Sequence, residues 1–147
     1  MLRVRECLVY AELVHKYIEV MRSNPTLKDV AAYHFGIPFT AYRYPLIYVQ
    51  WLGKEYSGRS DLHRFQYILR FEIGVIERHA SEDEAEKTIY RLIEGVEEAL
   101  NSNPTLDGLV ENEPEPRVIE VARGSEQDYA LAWARIIDLK KVWTPYA

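Results

Sequence analysis

The chain holds one cysteine, Cys7, among 147 residues. A lone thiol closes no intrachain disulfide, and its absence of partners fits a reducing compartment. The seven glycines form neither a Gly-x-Gly-x-x-Gly turn nor a Walker loop, which removes the common nucleotide fingerprints. No Gly-x-Ser-x-Gly elbow occurs, and Cys7 falls in a helical stripe, where a packed thiol is favoured over a nucleophile. Positive charge is not in excess. Eighteen Lys and Arg against 23 Asp and Glu leave a net charge of −5, which argues against a phosphate backbone as the main partner. Charges interrupt every apolar run well before bilayer length, so no membrane span is expected. The charged N-terminus lacks the apolar segment of a signal peptide. The four histidines show no metal-ligand spacing. His63 and His79 bracket one extended pattern, and at about 3.3 Å per residue they stand roughly 50 Å apart. Neither a cofactor nor a metal is expected.

What is present is an ordinary globular composition, 48% hydrophobic and 28% charged, in a length that suits one domain over residues 1–147. The clearest pattern is Arg64–Arg78, where Phe65, Tyr67, Leu69, Phe71, Ile73 and Val75 alternate with Gln66, Arg70, Glu72 and Gly74. A period of two sustained this far predicts a long strand with one buried and one wet face. Leu46–Leu52 is apolar on both parities, as in a strand covered on both sides. Gly53–His63 is polar and reads as a long turn, so residues 45–78 form an extended antiparallel hairpin.

Two helices frame that hairpin. Over Arg5–Arg22, Leu8, Ala11, Val14, Tyr17, Ile18 and Met21 recur at steps of three and four, until Asn24-Pro25 ends the helix. Lys28–Ala32 adds a further turn, giving an N-terminal helix region over 1–32. Tyr33–Tyr44 has no clean period and reads as a connection pinned by its aromatic rings, with room for a short strand. In the helix over 81–102, Ser81 and Glu84 form a capping box, and Glu82 and Asp83 sit at the positive end of the dipole. Ala85, Ile89, Leu92, Ile93, Val96 and Leu100 line its apolar stripe, and Asn103-Pro104 stops it. Glu113-Pro114-Glu115-Pro116 is a charged connector. Arg117–Arg123 and Asp128–Val142 then form a closing hairpin (117–143) around Gly124-Ser125-Glu126. In its last strand Tyr129, Leu131, Trp133, Ile137 and Leu139 share a face, interrupted by Arg135. The expected fold is α+β: an antiparallel β-sheet with two main helices packed on one face, in the order helix-strand-strand-helix-strand-strand.

Four groups of residues invite a chemical reading. The carboxylates of Glu82–Glu86 and Glu94–Glu98 are better explained as a solvated helix face than as a catalytic pair. Lys54, Tyr56, Arg59, His63 and Arg64 combine stacking and phosphate-binding types near the hairpin tip, yet Glu55 and Asp61 are interleaved and no basic stripe continues. Tyr33, Phe35, Phe39, Tyr42 and Tyr44 suit either a ligand pocket or packing on the core edge, the latter being commoner. A small enzyme using His79 with Glu82–Glu84 is the weakest reading. A ferredoxin-like small-ligand-binding regulatory domain ranks above it, although the junction Arg78-His79-Ala80-Ser81 lacks the expected glycine.

The element order, the polar-tipped hairpin and the segment Leu106-Asp107-Gly108-Leu109-Val110 after the capped helix carry a resemblance. From Leu8 to Trp143 the chain resembles the tail terminator or tail completion proteins of long-tailed phages and viruses, the minor tail protein U-like group. The resemblance implies a non-enzymatic virion protein, assembled in the host cytoplasm as a ring, by family habit a hexamer. Such a ring caps the tail tube at its head-proximal end, stops polymerisation and joins the tail to a connector or neck protein. DNA would only pass through the lumen. A neck or head-closure protein of the same particle is the nearest alternative. Candidate interface residues are Lys54, Tyr56, Arg59, Asp61 and His63 on the hairpin and Arg135 on the final strand.

Overall fold

The computed structural model describes residues 2–40, 43–61, 64–112 and 116–145, with side chains described over 10–58, 65–111 and 116–143 within them. Helices α1 (Leu2–Arg22) and α2 (Glu82–Ser102) cover one face of a six-stranded sheet. The strands are β1 (Ala32–Phe35), β2 (Leu46–Asp61), β3 (Arg64–His79), β4 (Glu111–Asn112), β5 (Arg117–Glu126) and β6 (Tyr129–Pro145). They run β1-β2-β3-β6 across the sheet, and β4 and β5 both pair with the outer edge of β6.

The core lies between the helices and one parity of each long strand. Ile47 and Val49 of β2, Leu69, Phe71, Ile73 and Val75 of β3, and Ala130, Ala132, Ala134 and Ile136 of β6 are all buried there. From the helices come Leu13, Val14, Tyr17, Ile18 and Met21 of α1 and the expected stripe of α2. The α2 start keeps half of the expected capping box: the Ser81 hydroxyl accepts from the Glu84 amide at 3.4 Å, while the Ser81 amide donates to His79 Nδ1 and not to the Glu84 carboxylate. The segment after α2 is a core plug. Leu106 and Asp107 take positive φ, and the turn folds Leu106 and Val110 inward while Leu109 stays half exposed. Asn103 and Thr105 side chains hold that turn by accepting the Asp107 and Gly108 amides at 2.9 and 3.1 Å.

Four expectations need correction. The sheet is mixed rather than antiparallel, because Ala32–Phe35, where the connection had room for a short strand, pairs parallel to β2, and β4 adds another short strand. A single turn of 3-10 helix at Pro25–Leu27 replaces the extra turn expected over Lys28–Ala32. Gly53–His63 is not a long turn: the β2–β3 ladder continues to the Asp61–Arg64 pair, interrupted by register shifts at Trp51/Gly53, Tyr56/Gly58 and Arg59/Asp61. Gly53 and Gly58 take positive φ at two of these bulges, so the alternation breaks in sequence while the pairing survives. In the closing hairpin, Gly124–Glu126 belong to β5, and the reversal falls at Gln127-Asp128.

Candidate interaction surface

Antiparallel pairing fixes which side chains share the face that the helices leave open. Even-numbered residues of β3 and odd-numbered residues of β6 point there, so Tyr129, Leu131, Trp133, Arg135, Ile137 and Leu139 do share a face, as expected. It is the uncovered one. The core takes the alanine parity of β6, whose small side chains allow α2 to approach closely.

At the centre of this open face sits Glu72, only 1% exposed. The alternation of β3 implies a wet position here, and the structure corrects it: neighbouring side chains close over the carboxylate. Arg135 lies opposite Gly74, one pair along from Glu72, within diagonal reach. Its Nε donates to Glu72 Oε1 at 2.8 Å, and its Nη2 donates to the same oxygen. The Tyr48 hydroxyl and Gln50 Nε2 donate to Oε2 at 2.7 and 3.0 Å. Burial pushes the Glu72 pKa up, but the bonds from Tyr48 and Arg135 outweigh it, and the carboxyl is held below its usual range. Burial, and then the bond to Glu72, push the Tyr48 hydroxyl up. The Tyr48 ring crosses Gly74, where a Cβ would come within 1.9 Å of it.

Around this network the face is apolar. One cleft of about 510 Å³ is walled by Ile37, Tyr44, Leu52, Leu131 and Trp133 above Glu72 and Arg135. The Trp133 indole is fixed by donating to Glu120 at 2.9 Å. A second cleft of about 410 Å³ continues from Leu52 and Arg135 to Ile137, Leu139 and Ile119, with Arg70 and Arg117 on its rim. Leu52 and Ile119 are 44% and 45% exposed.

The structure separates the residues singled out from sequence. Arg135 is on the open face, whereas Lys54 and Tyr56 pair with Leu69 and Tyr67 and point to the helix side. There the Tyr10 ring stacks on Trp51 at 4.0 Å, and Lys54 Nζ lies 4.7 Å from the Tyr67 centroid and 5.9 Å from that of Tyr10. Tyr56 meets Phe65 and Tyr67 ring to ring. These aromatics engage one another instead of forming a row of free stacking platforms. Arg59 and Asp61 are paired through their backbones with Phe65 and Arg64, their side chains lying outside the described residues, as does His63 altogether. The rings of residues 33–44 do not gather into one pocket. Tyr33 is under Arg22 with its hydroxyl buried and unpaired, its pKa pushed by burial to about 12. Tyr44 walls the first cleft, Phe35 and Phe39 are exposed, and Tyr42 lies outside the described residues. His79 Nδ1 accepts the Ser81 amide at 3.0 Å.

Sequence reasoning did not find a second buried polar group beneath α1. Asp138 Oδ2 accepts from the Tyr17 hydroxyl at 2.6 Å and lies 3.0 Å from Lys140 Nζ, both charged side chains being 1% exposed. Two charges at alternate positions of a strand's core parity were the available signal. Among the described residues, no group of three or more His, Cys, Asp or Glu is placed to hold a metal ion, and no helix is long and apolar enough to cross a membrane.

No family model and no curated protein matches the chain. Among solved structures it is similar to a chain in the virion of a native gene transfer agent particle, at 11% identity and a TM-score of 0.38 over 86% of this chain and 92% of that one. A likeness of that degree fixes no role.

Proposed function

We propose that the protein is a structural subunit of a phage-like particle, working as a ring that caps the tail tube at its head-proximal end and joins it to the connector. One observation carries the structural-subunit reading: the helices cover a single face of the sheet, and the other carries two adjoining clefts with largely apolar walls. Contiguous apolar surface of this kind on a soluble chain marks a surface meant to be covered by another protein. The three-stranded arm of β2, β3 and β6, paired out to Asp61, Arg64 and Pro145, gives a subunit the reach to touch its neighbours. The terminator role rests on the family resemblance, and a neck or head-closure role in the same particle shares its surface requirements. Native mass measurement and electron imaging, alone and with tail tube protein, test the proposal. Closed rings, and tubes that stop growing when the protein is added, are the expected results. A strict monomer that leaves tube growth unchanged refutes it.

A second reading, the small-ligand-binding domain, draws on the first cleft, whose walls are aliphatic and aromatic and whose floor is polar. Its carboxylate and guanidinium already satisfy each other, which leaves few groups to orient a ligand.

A further inference from the structure

We infer that the open face of the sheet docks one amphipathic helix of a partner protein, an aliphatic stripe flanked on both sides by Asp or Glu; the inference rests on the reading of this face as one that another protein covers.

Dimensions select a helix. The two clefts share Leu52 and Arg135 and run along β6 from Leu131 to Leu139, a length of about 26 Å at about 3.3 Å per residue. Across the face, β2, β3, β6 and β5 span about 14 Å. A helix of about 17 residues, about 10 Å wide, fills such a trough. A strand laid flat on a sheet face joins no ladder and leaves its amides without partners, whereas a helix satisfies its own. Helices on both faces of a sheet make a stable layering, and α1 and α2 supply only one of the two layers.

Charge selects the flanks. Arg70 pairs with Leu139 and Arg117 with Ile137, so the two arginines stand on opposite sides of β6, on β3 and β5. Both are exposed, and among the described residues neither guanidinium makes an ion pair or a hydrogen bond. The second cleft has no acid in its walls: its charged groups are Arg70, Arg117 and Arg135, the last already held by Glu72. Bases alone around Ile137 and Leu139, in a chain of net charge −5, match an acidic occupant.

A second copy does not offer that helix. Over the described side chains, α1 and α2 turn their apolar stripes into the core. Outward, α1 shows Glu12, His15 and Glu19, and α2 shows Glu84, Tyr90, Glu94 and Glu98. Those faces carry acid without an aliphatic row. The occupant is therefore a different chain.

The test is a display library of helices about 18 residues long, with leucines fixed along one stripe and the flanking positions randomised, selected on the full chain. Asp and Glu are expected at the flanks, against the preference for basic sequences that a net charge of −5 gives to nonspecific binding. By calorimetry at low salt, the selected peptide should bind the double variant Arg70→Glu, Arg117→Glu about tenfold more weakly than wild type. It should bind Lys87→Glu, changed on α2 on the other side of the sheet, as well as wild type. All these positions are exposed, so circular dichroism should show an unchanged fold. Selected helices without acids at the flanks, equal binding to the double variant, or no selected helix at all overturns the inference. So does self-association that the double variant abolishes while no helix binds, since the occupant is then a second copy. Ring formation is scored separately on the same protein. Rings without binding of an acid-flanked helix leave the ring reading standing and remove this one, and a strict monomer that binds the acidic helix does the reverse.

Discussion

Replacing Glu72 tests whether the open face is organised by its buried carboxylate. In Glu72→Ala the Tyr48 hydroxyl, only 6% exposed as a residue, loses its acceptor, and Arg135 loses a carboxylate that takes two of its donors. A hydrogen bond to a charged group contributes about 1.5–3 kcal/mol, and removing one member of a buried ion pair costs about 3–5 kcal/mol. Arg135 keeps 40% of its side chain exposed and can rehydrate, so the lower end, about 3 kcal/mol, is expected. Glu72→Gln keeps the shape but at most the two bonds accepted by its remaining carbonyl oxygen, its NH2 facing the other two donors, and should cost about 1–3 kcal/mol.

Acidification separates charge from shape. The Glu72 carboxyl is held below its usual range in the folded protein, so the folded state binds its proton less readily than the unfolded chain. Its contribution is complete above the unfolded value of about 4.3 and is lost as pH falls through the lower folded value. Urea denaturation at pH 7 and again near pH 3 should therefore show the gap between wild type and Glu72→Gln narrowing on acidification. A gap that is the same at both pH values, or a Glu72→Ala cost below about 0.5 kcal/mol, refutes the view that a paired carboxylate holds this face.

Three further outcomes follow from packing. Lys140→Met alone strands the buried Asp138 charge and should cost about 3–5 kcal/mol, while Tyr17→Phe, Asp138→Leu and Lys140→Met together should recover most of it in denaturant melts. Gly74→Ala forces its Cβ into the Tyr48 ring and should lower the melting temperature, with loss of the Tyr48–Glu72 bond seen as a tyrosine hydroxyl titrating closer to its ordinary value. Gly95→Ala brings a Cβ to 2.6 Å from Leu27 Cδ2 and should cost about 1–3 kcal/mol as overpacking, measured by calorimetry.

How far the fold could be read from sequence depended on whether the signal was local. The α2 cap, its stripe and the β3 alternation were legible because each is a periodic pattern within one element. Strand β1 showed only as room for a short strand, because four residues, Ala32–Phe35, carry no period, and their parallel pairing with β2 is a tertiary event. Bulges at Gly53 and Gly58 shifted the pattern of β2 and made a continuing strand look like a turn. The open face was half legible. Arg135 stood out as an interruption and Glu72 as an ordinary wet position, and only the register that sets Arg135 opposite Gly74 brings them together. For β6 hydrophobic bulk misleads: its larger side chains face outward because the helix beneath needs alanines.

The arginines on that face have a consequence for the chain in solution. On the free chain, Leu52, Ile119, Ile137 and Leu139 form a sticky strip beside a strand edge, the setting in which chains clump indiscriminately. Arg70 and Arg117, both exposed on this strip, stud it with hydrated charge, so random encounters between like patches repel. These two side chains thus act as gatekeepers against indiscriminate self-association.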